Sequence, residues 1–218
     1  MDEEDEHHYG ADLKLIIIGD SSTGKTSIVN RYVSNKFDNT YKATIASQFA
    51  YKIIKIKDVI YRIQFWDLAG QDRSGTLASF FCKDSNGIVF CCDVTEPSSK
   101  NNILTWKKSL EDNLDISNIP LIVMENKCDL LGDNEDLYND NFDELKKFGE
   151  ENGFNGCFRT SALTGYGIEK AMSFLVNKIV EKFDEDDIKS YKDFGQKRRL
   201  SVDNHISKKV NDKKGKCC

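Results

Sequence analysis

Apolar positions follow two rhythms along this chain. Short unbroken runs, suited to strands covered on both faces, alternate with stretches whose apolar residues recur every three or four positions. Residues 13–18 are apolar except at Lys14 and read as a buried parallel strand, with a helix at 25–33 after it. Residues 49–57 and 59–66 alternate instead: Phe49, Tyr51 and Ile53 in one, Tyr61, Ile63 and Phe65 in the other. Asp58 between them marks a hairpin. Residues 87–92 and 121–124 are again short apolar runs, and Phe158 marks a last, brief strand. Helices fill 98–114, 141–152 and 167–183, the last with Ile168, Ala171, Met172, Leu175 and Ile179 on one face. This pattern predicts an α/β fold: a six-stranded, mostly parallel sheet with one antiparallel hairpin strand and helices on both faces. After Phe183 the periodicity gives way to charge. We therefore expect one domain over 13–183, between a disordered acidic N-terminus at 1–12 and a disordered basic tail at 184–218.

Charge divides the chain further. The net charge of −5 hides ten Lys/Arg against three Asp in 188–218, a net +7 that leaves −12 on the rest. An acidic body argues against nucleic-acid binding, while a basic tail suits an anionic membrane surface. No apolar run approaches the roughly 18 residues that span a bilayer. The acidic stretch 1–6 reads as neither a secretory signal nor a transit peptide, and Asp2 stands where N-myristoylation needs Gly. Seven cysteines, at 82, 91, 92, 128, 157, 217 and 218, form no CxxC pair. Reduced thiols are expected rather than a zinc site.

Three segments carry chemistry. Gly19-Asp20-Ser21-Ser22-Thr23-Gly24-Lys25-Thr26 matches GxxxxGK[ST] between a strand and a helix. There, glycine conformations aim backbone N–H groups at phosphate oxygens, and the helix N-terminus adds partial positive charge. The phosphate-binding residues are then Ser21, Ser22, Thr23, Gly24, Lys25, Thr26 and Ser27, with the Thr26 hydroxyl on Mg2+. A glycine turn with an exposed lysine is the plain alternative. Asn126-Lys127-Cys128-Asp129 follows the strand at 121–124. A carboxylate there can accept both the ring N–H and the exocyclic NH2 of guanine, a donor pair that adenine lacks. Asn126 can bond the base, the Lys127 stem can pack over it, and Ser161, Ala162 and Leu163 can close the pocket through backbone groups. Alone, that motif would be an ordinary polar loop; its place after the phosphate loop favours the base. Trp66-Asp67-Leu68-Ala69-Gly70-Gln71 ends the third strand. Asp67 can hold Mg2+ through water, the Gly70 N–H can face a γ-phosphate, and Gln71 can orient an attacking water.

In order and spacing these motifs resemble the Ras superfamily of small GTPases over 13–183, a P-loop NTPase fold. Within it the chain is similar to the Rab family. Phe80-Phe81 precedes Gly87-Ile-Val-Phe and Asp93-Val-Thr, and Cys217-Cys218 resembles a double-prenylation terminus. Leu68 and the stretch 153–162 resemble the Rab subgroup that serves lysosome-related organelles. The resemblance implies GTP and GDP as ligands, Mg2+ as cofactor, and hydrolysis of the γ-phosphate with Gln71 as the catalytic residue. It makes Thr44 a second hydroxyl ligand of Mg2+ beside the phosphates, and Phe37 a stack against guanine. Either residue alone would be an ordinary loop or core position. Phe49, Trp66 and Phe81 fall where Rabs carry an effector-facing aromatic triad, although aromatics also fill cores.

The resemblance further implies a monomeric switch in vesicle traffic, on the cytoplasmic face of an endosomal, Golgi-derived or lysosome-related membrane. Its partners would be a guanine-nucleotide exchange factor, a GTPase-activating protein, effectors and a prenyl-shielding chaperone. Several positions depart from the Rab pattern. Ser22 and Ala46 replace Gly, Asp72 a Glu, Ser74 a Phe and Leu163 a Lys, and the acidic segment 132–141 is longer. Two rival readings stand beside this one. A Ras- or Rho-type signalling GTPase would carry a C-a-a-X tail, which is absent. A module that holds GTP with negligible hydrolysis is opposed by Gln71 and favoured by Ser22.

Membrane attachment is expected to rest on geranylgeranyl groups at Cys217 and Cys218. The basic tail supplies only about 1 kcal/mol per Lys/Arg near an anionic surface, and salt screens it. Buried lipid adds about 0.8 kcal/mol per CH2, and two chains meet the two-signal requirement for stable anchoring. Replacing both cysteines with Ser should move the protein from the membrane pellet to the soluble fraction of lysed cells. A double variant that pellets like wild type would refute anchoring through this pair.

Overall fold

A computed structural model describes residues 11–40, 43–56, 59–70, 76–132 and 143–183. They form six strands: β1 (Ala11–Ile18), β2 (Ser47–Ile56), β3 (Val59–Leu68), β4 (Gly87–Asp93), β5 (Leu121–Asn126) and β6 (Gly156–Arg159). Among the described residues there are five α-helices: α1 (Lys25–Ser34), α2 (Thr76–Cys82), α3 (Pro97–Glu111), α4 (Asp143–Glu151) and α5 (Ile168–Val180). The strands make one mixed sheet in the order β2-β3-β1-β4-β5-β6, with β2 and β3 antiparallel and the rest parallel. The order reverses direction at β1. Loops leaving the carboxyl ends of β1 and β4 therefore diverge, and such a divergence opens a crevice.

The chain divides into two compact units. The larger comprises Lys14–Tyr51 and Gln64–Lys182, and its core explains the unbroken apolar runs. Every residue of β4 and β5 is buried, as strands covered on both faces require. On one face Ile16, Ile18, Phe90 and Val123 pack with Ile103, Trp106 and Leu110 of α3 and Leu145 of α4. On the other face α5 lies so close that a side chain on Gly87 would meet Leu15, Leu175 and Ile179. Tyr32 of α1 meets Phe65 edge-on at 5.5 Å. Of the described residues, the smaller unit holds 11–13, 52–56, 59–63 and 183. In it Val59, Tyr61 and Ile63 are buried in alternation with half-buried Ile60 and Arg62, and Arg62 grips Asp12 with two bonds of 2.6 and 2.8 Å.

The expected sheet, its hairpin and its helices are all present, and the differences lie at the ends. Helix α2 gave no pattern in the sequence, because seven residues are too few to display a helical period. The helix expected to reach 114 stops at Glu111: the N–H groups of Asn113 and Leu114 both turn back to the Leu110 carbonyl. Leu114 thus continues the apolar spacing without continuing the helix. Helix α5 stops at Val180, short of the expected 183, with a tight turn from the Lys182 N–H to the Ile179 carbonyl. The helix expected over 141–152 runs Asp143–Glu151, and 141–142 lie outside the described residues. The expectations for 1–10 and 184–218 also lie outside them.

Phe90 is fully buried in β4 and meets Phe154 edge-on at 5.3 Å. Phe90→Ala should therefore lower the unfolding free energy by about 3–5 kcal/mol in urea titrations. A loss below about 1 kcal/mol would contradict its place in the core.

Candidate functional site

The loop 19–24 joins β1 to α1 in a tight turn. Gly19 sits at φ 143 and Gly24 at φ 92. A side chain on Gly19 would run into the Cys91 carbonyl, and one on Gly24 into the Asn126 amide. Gly24 is also the N-cap of α1, so that helix leaves N–H groups without intrahelical partners at the loop. Lys25 bends over the turn, and its Nζ donates to the Gly19 and Asp20 carbonyls at 2.9 and 2.8 Å. The Thr23 hydroxyl donates to the Asp20 carbonyl at 2.9 Å. The Asp20 carboxylate accepts from Asn102 Nδ2 at 2.6 Å and from Trp106 Nε1 at 3.0 Å, which ties the loop to α3.

Thr26, Thr44 and Asp67 come together beside this loop. Thr26 Oγ1 lies 2.9 Å from Thr44 Oγ1 and donates to Asp67 Oδ2. Asp67 is 1% exposed, and its Oδ1 has no hydrogen-bond partner among the described residues. Burial raises its pKa above the usual carboxylate range, against the opposing pull of the Thr26 hydroxyl and the Lys25 charge. A buried carboxylate oxygen with no donor is unfavourable unless a cation satisfies it. Two hydroxyls and a carboxylate are hard oxygen donors of the kind Mg2+ prefers, so the residues present fit that ion.

The opposite side is built by the ends of β5 and β6. Asn126 is buried; its Nδ2 donates to the Thr23 carbonyl at 2.9 Å, and its Oδ1 accepts from the Ala162 N–H at 3.1 Å and the Thr160 hydroxyl at 3.3 Å. The Ser161 hydroxyl donates to Asp129 Oδ1 at 2.5 Å. Lys127 adopts a left-handed φ of 64, and its ammonium lies 2.6 Å from Asp93 Oδ2. Burial would raise the Asp93 pKa, but the bonds from Lys127 and Thr95 outweigh it and hold the carboxyl below its usual range. Burial pushes the thiols of Cys91 and Cys128 up to about 11, so both are neutral and neither offers a nucleophile.

These loops enclose a cavity of about 730 Å3. Ser21, Ser22, Gly24, Lys25, Thr26 and Ser27 line one side, and Phe37, Thr44 and Gly70 a second. Asn126, Lys127, Asp129, Ala162 and Leu163 line the third. Thr23, Asp67 and Ser161 are buried behind that wall and hold the lining residues Asn126, Thr26 and Asp129 in place. Gln71 lies outside the described residues, as do Cys217 and Cys218. Sequence reasoning passed over Arg31 of α1, which donates to the Ala162 and Leu163 carbonyls at 2.9 and 2.6 Å. Those partners are more than 130 positions away, so no local pattern announces them. Asp20 was also passed over, because the motif treats its position as free.

Two departures from the Rab pattern acquire a physical meaning here. Ser22 has φ 66 and Ala46 has φ 60, the left-handed region where glycine sits without penalty. A side chain there costs about 1–2 kcal/mol. Away from the cavity, Phe49, Trp66 and Phe81 form one aromatic ladder, with ring centroids 5.4 and 5.8 Å apart. Phe80, 74% exposed, extends it at 5.6 Å from Phe81 and was not expected to do so.

Comparison with known proteins agrees with this geometry. Residues 14–181 match the Ras family. Ras-related protein Rab-32A of Dictyostelium discoideum is 37% identical over 173 residues, covering 77% of this chain and 78% of that protein. Ras-related protein Rab-32 of Homo sapiens is 36% identical over 172 residues, covering 77% and 75%. Ras-related protein Rab-7L1 of Homo sapiens is 34% identical over 178 residues, covering 80% and 85%.

The unpartnered oxygen of Asp67 generates a test. Asp67→Ala should weaken Mg2+ binding to the GDP-loaded protein about tenfold or more, equivalent to about 1.4 kcal/mol. Mg2+ titrations read by thermal melting would measure it. An unchanged Mg2+ midpoint would remove Asp67 from the cation site.

Proposed function

This chain belongs to the Ras family and is a GTP-binding small GTPase of the Rab type, and we propose that it works as a switch in vesicle traffic on the cytoplasmic face of an intracellular membrane. The observation that carries the reading is the meeting of two motifs in one cavity. The Asn126 amide, at the head of the base motif, bonds to Thr23 of the phosphate loop across 103 positions of sequence. In this reading backbone N–H groups of 21–27 and the Lys25 ammonium hold the phosphates. Asp129 accepts from the guanine edge, with Asn126 and the Lys127 stem beside it, Phe37 against the ring and 161–163 closing the pocket. Thr26, Thr44 and Asp67 hold Mg2+, which neutralises phosphate charge. Thr44 and Gly70 respond to the γ-phosphate, and Gln71 orients the attacking water.

The aromatic ladder Phe49–Trp66–Phe81 is then the face that effectors read, and Cys217 and Cys218 carry the lipid anchor. An exchange factor, a GTPase-activating protein that supplies an arginine, and a prenyl-shielding chaperone complete the cycle. Ser22 in the phosphate loop, where its side chain could crowd the phosphates, keeps one rival in view, a module that holds GTP and hydrolyses it negligibly.

Single-turnover hydrolysis of GTP separates the two. Wild type should convert bound GTP to GDP. Gln71→Leu should slow that step about tenfold or more, about 1.4 kcal/mol of barrier, with GTP affinity nearly unchanged. Wild-type turnover no faster than that of Gln71→Leu would favour the rival.

A further inference from the structure

One charged group sits inside the sheet with no part in the site described so far. Glu125 belongs to β5, a strand buried along its whole length, and is 5% exposed. Its carboxylate meets two cations. Arg159 Nε of β6 donates to Oε2 at 3.1 Å, and Lys100 Nζ of α3 lies 3.7 Å from Oε1. Glu125 and Arg159 are register partners in the parallel β5–β6 pair, and Cys92 of β4 is the register partner on the other side. An apolar residue would serve packing here as well or better, because burying an ion pair gains little net stability over a hydrophobic replacement. The pair does fix relative position, since the buried Glu125 carboxylate would be left unpaired in a low dielectric if the half-buried Arg159 moved away.

The location says what is positioned. Glu125 immediately precedes Asn126-Lys127-Cys128-Asp129, and Arg159 immediately precedes Thr160-Ser161-Ala162-Leu163. Beyond the ion pair the two loops are joined strand to strand. The Thr160 N–H donates to the Glu125 carbonyl at 2.9 Å, and the Cys128 N–H to the Thr160 carbonyl at 3.1 Å. The Ser161 hydroxyl then reaches the Asp129 carboxylate at 2.5 Å. A shift of one strand end against the other would be passed along these bonds to Asp129.

We propose that Glu125 and Arg159, braced by Lys100, are positioning residues for base discrimination: the ion pair of the buried Glu125 with Arg159 sets the relation of the two loops and so aims Asp129 at the guanine edge. The proposal rests on the guanine-binding reading given above. Inosine supplies the discriminating probe, because it keeps the ring N–H of guanine and lacks the exocyclic NH2. A misaimed Asp129 loses the two-donor fit and so weakens GDP more than IDP, whereas a general loss of stability weakens both alike.

Competition of GDP, IDP and ADP for wild type, Glu125→Gln, Arg159→Met and Lys100→Met, at fixed Mg2+, is the test. Wild type should prefer GDP strongly over ADP; no such preference would overturn the guanine reading and this proposal with it. Given that preference, Glu125→Gln and Arg159→Met should lower the GDP-to-IDP affinity ratio about fivefold or more. Arg159→Lys, which keeps the charge, should restore the ratio to within about twofold of wild type. Lys100 lies on the partly exposed outer side of the pair, so Lys100→Met reports even where the Glu125 and Arg159 variants fail to fold; it should lower the ratio about twofold. Ratios equal to wild type in the folded variants, or GDP and IDP weakened equally, would overturn the positioning role and leave the guanine reading standing.

Discussion

The side-chain amide of Asn126 is the contact through which the site is assembled. Buried at the end of β5, it offers two donors and an acceptor in a fixed plane. One donor takes the Thr23 carbonyl of the loop after β1, and the oxygen takes the Ala162 N–H of the loop after β6. Three loops from three parallel strands are thereby locked by a single group. The arrangement is possible because strand order reverses at β1, which brings these carboxyl ends to one edge while their connecting helices depart on opposite faces. The helices add support from outside: Arg31 of α1 holds the loop after β6, and Asn102 and Trp106 of α3 hold Asp20.

Beside these bonds lie three local features of a different kind. Asp67 is buried with one oxygen unsatisfied. Ser22 and Ala46 occupy left-handed backbone with side chains attached. Lys25 turns its ammonium onto the Gly19 and Asp20 carbonyls, with its charge acting on Asp67. A divalent cation would satisfy the open Asp67 oxygen. Thr44, whose hydroxyl meets Thr26 across the sequence, is the link from that chemistry to the segment leading into β2.

The aromatic ladder has the opposite character. Phe49, Trp66, Phe81 and Phe80 run from a half-buried indole to a phenyl ring that is 74% exposed, with Lys14 Nζ over the Trp66 ring at 5.3 Å. Large apolar side chains left against solvent suit recognition by another protein. Trp66 directly precedes Asp67 in β3, so the proposed cation site and the outer surface share one strand end. A change in the phosphate region has a short covalent path to that surface.

Much of this was legible along the chain. Runs of apolar residues identified the buried strands, alternation identified the hairpin, and the phosphate and base motifs named eight of the residues that line the cavity. Those signals are local: a strand buried on both faces must be apolar at every position, and a loop that wraps phosphate must carry glycine at its turns. Helix α2 and the true ends of α3 and α5 were not legible. A short helix shows no period, and chain termination by a backbone turn leaves the apolar spacing intact. The tertiary structure alone decided which distant groups meet. Arg31 on the loop at 162–163, Asn102 and Trp106 on Asp20, and Glu125 on Arg159 join positions that no spacing rule connects. Periodicity reports what a residue faces, apolar or wet. It carries no record of the partner, because a hydrogen bond or ion pair between elements depends on the three-dimensional order in which the sheet has been laid down.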